Sequence, residues 1–240
     1  MDYQKVVRFV ELSDYAYENQ MDFDKSIHKL KEMKLIINPK LETRALVGYD
    51  EKLETIVIAF RGTDNLKNLI EDAKIFSEEI SIEGGCQNCR VHTGFNSGYE
   101  GMKEAVNLEL EKLIRSYPNA KIAVTGHSYG GAVATLTALN LENRGIEVSL
   151  VTFGSPRVGN KEFADYINRK ISGENLRVTY QDDPVVSIPP TNMGYEHVGN
   201  EVEFYDHQKY YVYPKNFDRG NNMDSLINWS AHSEYWNLYK

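Results

Sequence analysis

The run from Lys121 to Phe153, KIAVTGHSYGGAVATLTALNLENRGIEVSLVTF, constrains the fold more than any other part of the chain. It reads as an apolar strand, a glycine-framed bend, a helix over 129–143 that ends near Gly145, and a second apolar strand. A helix that carries the chain back along the sheet lets the second strand run parallel to the first. Other segments repeat the alternation. TRALVGYDEKLETIVIAFRG predicts two strands, around 46–49 and 56–60, about a polar turn at 50–52. Residues 97–116 carry helical spacing at Met102, Val106, Leu110, Leu113 and Ile114, residues 160–171 predict another helix, and LRVTY another strand. Residues 3–33 read as one or two helices. The expectation is an α/β fold, a central mostly parallel sheet flanked by helices on both faces. No repeat or Pro/Gly/Ser linker divides the 240 residues, so one domain over 1–240 is expected.

Bulk properties narrow the function by exclusion. A hydrophobic content of 41% suffices for a large core, and a net charge of -8 without any concentrated basic stripe argues against a nucleic-acid partner. No apolar run reaches the roughly 18 residues of a membrane helix. The start MDYQKVVRFVELSDYAY lacks the basic n-region and long apolar core of a signal peptide, although a mature secreted domain with an added Met would look the same.

In parallel sheets, functional residues collect where loops leave the carboxyl ends of strands. Ser128 occupies that position in GHSYG, with Gly126 and Gly130 permitting the strand and helix to approach at a tight bend. Chance alone would supply G-x-S-x-G on the order of once in ten such chains, given the abundance of Gly and Ser. The strand-turn-helix context makes Ser128 a candidate nucleophile. A nucleotide-binding turn is disfavoured because the loop has neither G-x-G-x-x-G nor a P-loop Lys. Ser97 in GFNSG follows no buried strand and reads as a helix N-cap.

A serine hydroxyl needs a base beside it, and hydrolases of this architecture use the order serine, acid, histidine. Asp182 and Asp183 follow the strand LRVTY, just before Pro184. Downstream lie His197, His207 and His232, and the loop preceding His232 is the most irregular; periodicity does not choose between His232 and His197. His127 abuts the serine on its strand and orients the elbow or packs. Cys86 and Cys89 in GGCQNCRVH allow a local disulfide clip, free thiols or a metal or redox site with His92 as a third ligand.

Taken together, IVIAFRGT, VHTGF, VTGHSYGGAVATL, VTFGSPRVGN, DDPVVSIPP, YEHVGNEV and AHSEYW, in this order, resemble the class 3 lipases, a family of fungal-type triacylglycerol lipases and feruloyl esterases with an α/β-hydrolase fold. The resemblance implies Ser128 as nucleophile, Asp183 as acid by register with IPP, and His232 rather than His197 as base. It implies the backbone N–H groups of Thr63 and Tyr129 as an oxyanion hole, a Cys86–Cys89 disulfide as in secreted members, and no metal or organic cofactor. The stretch after Thr63 places Leu66, Leu69, Ile70 and Ala73 at i, i+3, i+4 and i+7. Its pattern alone equally suits a helix packed permanently on the core; the resemblance makes it a lid.

The implied partner is an acylglycerol or other ester at a lipid-water interface, with no stable protein partner. The implied location is extracellular, with a cytoplasmic one left open. Feruloyl esterase, phospholipase A1-type esterase and acyltransferase are the alternative enzymes, and a lipid-binding protein retaining the fold is the non-enzymatic one.

Overall fold

The computed structural model describes residues 2–18, 30–63, 77–79, 85–206, 209–215 and 229–239. Helix α1 (Tyr3–Tyr15) begins at Asp2, whose carboxylate accepts the Gln4 N–H and so satisfies one of the unpaired amides of the first turn. It leads to strands β1 (Lys31–Asn38), β2 (Thr43–Asp50) and β3 (Thr55–Phe60). The expected helical reading of 3–33 therefore overruns, because Lys31 to Met33 lie in a strand. β1 is a mostly exposed edge strand, and its charged residues carry no strong alternation from which its pairing to β2 can be read. The turn before β3 is closed by Asp50, whose Oδ1 accepts from the N–H groups of Lys52 and Leu53.

Short strands β4 (Ser77–Glu79) and β5 (Arg90–His92) precede the long helix α2 (Thr93–Ser116). This helix starts four residues earlier than its apolar spacing suggests, and Ser97 lies inside it rather than at its cap. The cap is His92, whose Nδ1 accepts the Gly94 N–H at 3.2 Å, a role the usual Ser/Thr/Asp/Asn rule does not assign to histidine. Then follow β6 (Lys121–His127), α3 (Tyr129–Asn143), β7 (Ser149–Phe153), β8 (Gly159–Asn160), α4 (Lys161–Lys170) and β9 (Asn175–Tyr180). The chain ends with β10 (Tyr195–Glu196), β11 (Asn200–Asp206) and β12 (Lys209–Tyr213), then two short 3-10 turns at Ala231–Ser233 and Tyr235–Leu238.

The eight-stranded sheet has the order β1-β2-β3-β6-β7-β9-β11-β12. Its five central strands, β3 to β11, are mutually parallel, and antiparallel strands finish both edges. Alternate residues feed two cores, as strand geometry requires. Ile56, Ile58, Phe60, Val124 and Leu150 join the core under α2, α3 and α4, while Val57, Ala59, Ala123, Val151 and Phe153 join the one under α1 and the C-terminal turns. Helix α3 is apolar almost all round and nearly every residue is buried, which suits a helix held between the sheet and α2. A smaller four-stranded sheet, β10-β8-β5-β4, stands apart from the main one.

One buried ion pair stitches the last parallel step. Arg177 on β9 meets Glu201 on β11 at 3.1 Å, and the Thr179 hydroxyl donates to the same carboxylate at 2.8 Å. Removing a single partner would leave the other charge buried and uncompensated.

Ile58, fully buried at the centre of β3, tests the parallel core. Ile58→Ala is expected to cost about 2–5 kcal/mol, from lost apolar transfer plus the residual cavity. Urea unfolding should show a lower midpoint at an unchanged slope.

Candidate active site

β6 delivers Ser128 to the site. The residue sits at φ 58 and ψ -130, between the end of β6 and the first turn of α3. That region is disfavoured for any residue with a Cβ and costs of order 1–3 kcal/mol. Neighbouring glycines allow the bend: a Cβ on Gly126 would lie 2.4 Å from the Gly130 carbonyl oxygen, and one on Gly130 would lie 2.3 Å from that of Phe60. The Ser128 N–H donates to the Phe153 carbonyl at 2.9 Å, locking the elbow to β7. Ser128 is 1% exposed, and its Oγ has no hydrogen-bond partner among the described residues.

β9 delivers the carboxylate. Asp183 is buried, whereas Asp182 beside it is exposed, which separates the two. Three donors converge on Asp183: the Val185 N–H at 2.9 Å, His232 Nδ1 at 2.9 and 3.0 Å to its two oxygens, and the Tyr235 hydroxyl at 2.6 Å. The Tyr235 oxygen in turn accepts the Tyr180 N–H at 3.1 Å. Burial, reinforced by the adjacent Asp183 carboxylate, pushes the Tyr235 phenol well above its ordinary range, so it stays a donor. Because His232 donates through Nδ1, its Nε2 is left as the acceptor in the neutral ring. Nε2 is buried and has no partner among the described residues, the same condition as Ser128 Oγ.

Gly154, at φ +55 just past β7, forms the floor beneath this pair. A Cβ there would lie 2.8 Å from Asp183 Oδ2 and 3.1 Å from His232 Cε1. The acid loop is held from outside by Arg157, whose Nη1 donates to the Ser187 and Pro189 carbonyls at 2.6 and 3.0 Å. His197 Nε2 donates to the Val186 carbonyl at 2.7 Å, so this histidine, open as a base on periodicity, braces the loop instead.

Thr63 lies three residues past the carboxyl end of β3, after Gly62, which approaches the Ser128 side chain, and Tyr129 opens α3 directly after the serine. As the first residue of the helix, Tyr129 has a backbone N–H without an intrahelical acceptor, at the positive end of the helix dipole. Its phenol donates to the Gly94 carbonyl at 3.1 Å, and burial pushes it up to about 12. Cys86 and Cys89 form a disulfide with Cα atoms 5.7 Å apart, which answers the three-way reading of that pair. Among the described residues there is no cluster of His, Cys, Asp or Glu fit to hold a metal. Leu66, Leu69, Ile70, Ala73 and His207 lie outside the described residues.

Tyr17 was not legible as a site residue, whereas His127, read from its place beside the serine as orienting the elbow or packing, connects to the backbone of His232. The Tyr17 oxygen accepts the Gly62 N–H at 3.0 Å, and its hydroxyl lies 2.8 Å from His127 Nδ1. His127 Nε2 reaches the His232 backbone carbonyl at 2.8 Å. Burial, with the neighbouring His232, pushes the His127 imidazole well below its ordinary value, so it is neutral.

A mostly parallel sheet with a serine elbow after a central strand, and a carboxylate-histidine pair at the neighbouring strand ends, defines an α/β-hydrolase. The chain belongs to the class 3 lipase family, whose model, Lipase (class 3), matches residues 57–193. Secreted mono- and diacylglycerol lipase 1 of Fusarium solani is 36% identical over 166 residues, 69% of this chain and 49% of the relative. Secreted mono- and diacylglycerol lipase A of Penicillium camembertii is 35% identical over 161 residues, 67% of this chain and 51% of the relative. The chain thus spans about half the length of these relatives. Among solved structures, a triacylglycerol lipase described as having a serine protease triad for its catalytic centre matches with a TM-score of 0.84 at 28% identity, over 99% of this chain and 96% of that one. The triacylglyceride lipase of Rhizomucor miehei matches with a TM-score of 0.84 at 26% identity, over 98% and 94% of the two chains.

Gly154→Ala is expected to displace the Asp183–His232 pair, so the downfield proton resonance of His232 Nδ1–H should shift or disappear. The same resonance should survive in Asp182→Ala, whose side chain is exposed. For the buried His127 the folded-state pKa is depressed, so the unfolded chain binds more protons on the acid side. Its contribution to stability is therefore full above the ordinary value of 6.5 and is lost as pH falls toward the folded-state value. Unfolding free energies measured from pH 7.5 down to 5 should fall less steeply in His127→Gln than in the parent.

Proposed function

We propose that this chain is a serine carboxylic-ester hydrolase that cleaves acylglycerols through an acyl-enzyme on Ser128, acting as one domain over 1–240. The observation that carries the reading is the pairing of buried Asp183 with His232 Nδ1, which leaves His232 Nε2 and Ser128 Oγ as polar atoms without a partner among the described residues, in the same buried region. Burying two such groups without a partner is costly, and each suits the other chemically: one accepts the proton that the other must lose.

In the proposed mechanism the Ser128 oxygen attacks the ester carbonyl carbon while His232 Nε2 takes its proton. Asp183, bonded to three donors, orients the imidazole and stabilises the imidazolium that forms. The Thr63 and Tyr129 N–H groups receive the oxyanion, a donor of this kind typically contributing about 10²–10³ in rate. His232 then passes its proton to the departing alcohol, and water releases the acid by the reverse sequence.

Acylglycerols are favoured over other esters because the similar proteins above are named for mono-, di- and triacylglycerol hydrolysis. The secreted character in those names, with the Cys86–Cys89 disulfide, supports an extracellular setting, where disulfides persist. The expected partners are the acylglycerol and the lipid-water interface.

A fluorophosphonate should label the parent stoichiometrically and fail to label Ser128→Ala. Ser128→Ala should lower kcat by roughly 10⁴-fold or more, as loss of a triad nucleophile does. In a panel of a monoacylglycerol, a diacylglycerol, a triacylglycerol, a phospholipid and methyl ferulate, the glycerides should give the highest kcat/KM. Absence of labelling in the folded parent would remove the enzymatic reading, and preference for the ferulate would redirect it to the feruloyl esterases.

A further inference from the structure

We infer that Tyr17 and His127 form a positioning relay that sets the oxyanion segment and the base from one side, so that neither moves independently of the other. The inference rests on the hydrolase reading above.

The direction of each hydrogen bond is fixed by chemistry. A backbone carbonyl only accepts, so His127 Nε2 must be the donor to the His232 carbonyl. In a neutral imidazole the other nitrogen is then an acceptor, and the Tyr17 hydroxyl donates to Nδ1. The Tyr17 oxygen, having given its proton, accepts the Gly62 N–H. The result is one polarised chain, from Gly62 N–H through Tyr17 and His127 to the backbone of His232. Each bond strengthens the next.

Both ends of the chain belong to the site. Gly62 immediately precedes Thr63 and touches the elbow: a Cβ there would lie 2.1 Å from the Tyr17 oxygen, 3.0 Å from the His127 carbonyl oxygen and 3.1 Å from Ser128 Cβ. His232 is the base, and its ring lies 4.5 Å from that of His127, centroid to centroid. A charge on His127 would repel the imidazolium that forms on His232 during the reaction, so a neutral His127 favours proton transfer to the base. A Tyr17 proton on Nδ1 secures that state, because it requires a lone pair there.

The relay is also anchored. Arg44 on β2 donates to the Glu18 carbonyl at 2.8 Å, and its own carbonyl accepts the Arg61 N–H at 3.0 Å, so the Tyr17 and Gly62 segments share one support. Trp236 covers the pair, 4.9 Å from the His127 ring and 5.8 Å from that of Tyr17.

The test is a double-mutant cycle on glyceride hydrolysis with Tyr17→Phe, His127→Gln and the double variant, beside Ser128→Ala. Each single variant is expected to lose about 10- to 100-fold in kcat with KM nearly unchanged, since a displaced oxyanion donor acts on the transition state. The double variant should lose no more than the worse single one. In the parent, imidazole nitrogen resonances should report His127 as the neutral Nε2–H tautomer, and Tyr17→Phe should disturb it. Multiplicative losses in the double variant, an unchanged kcat in Tyr17→Phe, or an Nδ1–H tautomer in the parent would each overturn the relay while an inactive Ser128→Ala leaves the hydrolase reading intact. Activity retained in Ser128→Ala would overturn that reading and the relay with it. The tautomer measurement on the parent decides the point even if a variant fails to fold.

Discussion

The first turn of α3 lies against the end of β6 at distances that no side chain tolerates, and the rest of the site is arranged around that approach. With only hydrogen atoms at Gly126 and Gly130, the backbone can turn within a single residue and leave Ser128 at a positive φ. The turn points the serine out of the sheet while its amide remains bonded to β7. The strain is tolerable because α3 is buried over nearly its whole surface and cannot back away. A core made of alternating strand residues thus converts apolar burial into a fixed position for one hydroxyl.

The same strand ends set the remaining groups. β3, β6, β7 and β9 run in parallel and finish on one side, so Thr63, Ser128, Gly154 and Asp183 gather there although 120 residues of chain separate the first from the last. Asp183 then draws in the C-terminal turns through two side chains at once, His232 and Tyr235. Tyr235 joins the candidate site to the fold, because one hydroxyl donates to the Asp183 carboxylate and accepts from the β9 backbone.

What could be read from the sequence divides along the range of the interactions involved. The parallel core was legible because apolar runs and helix spacing are local, and α3 begins and ends at the residues its spacing marks. The elbow was legible for the same reason. The N-terminal expectation failed where β1 draws its stability from β2 rather than from its own pattern, and the cap of α2 failed because an imidazole took a place usually held by a hydroxyl or carboxylate. Strand β11 carries Glu201 and Glu203, both buried, and charged residues on a strand conceal it. Choosing His232 over His197 needed family resemblance, since both lie after the acid in irregular chain; the hydrogen bonds separate them at once. His127 was marked by its place beside Ser128, but its pairing with Tyr17, 110 residues away, left no local signal.

Arg157 carries a further consequence. The loop from Pro184 to Pro190 has little ladder of its own, and a guanidinium from another part of the chain occupies two of its carbonyls. The loop's curvature is therefore written into residues outside it, Arg157 at these carbonyls and His197 at that of Val186, like a beam whose camber is set by its rivets. Both bonds of Arg157 leave one nitrogen, Nη1 of a buried guanidinium, so the placement of Asp183 just before the loop depends on where that one nitrogen sits.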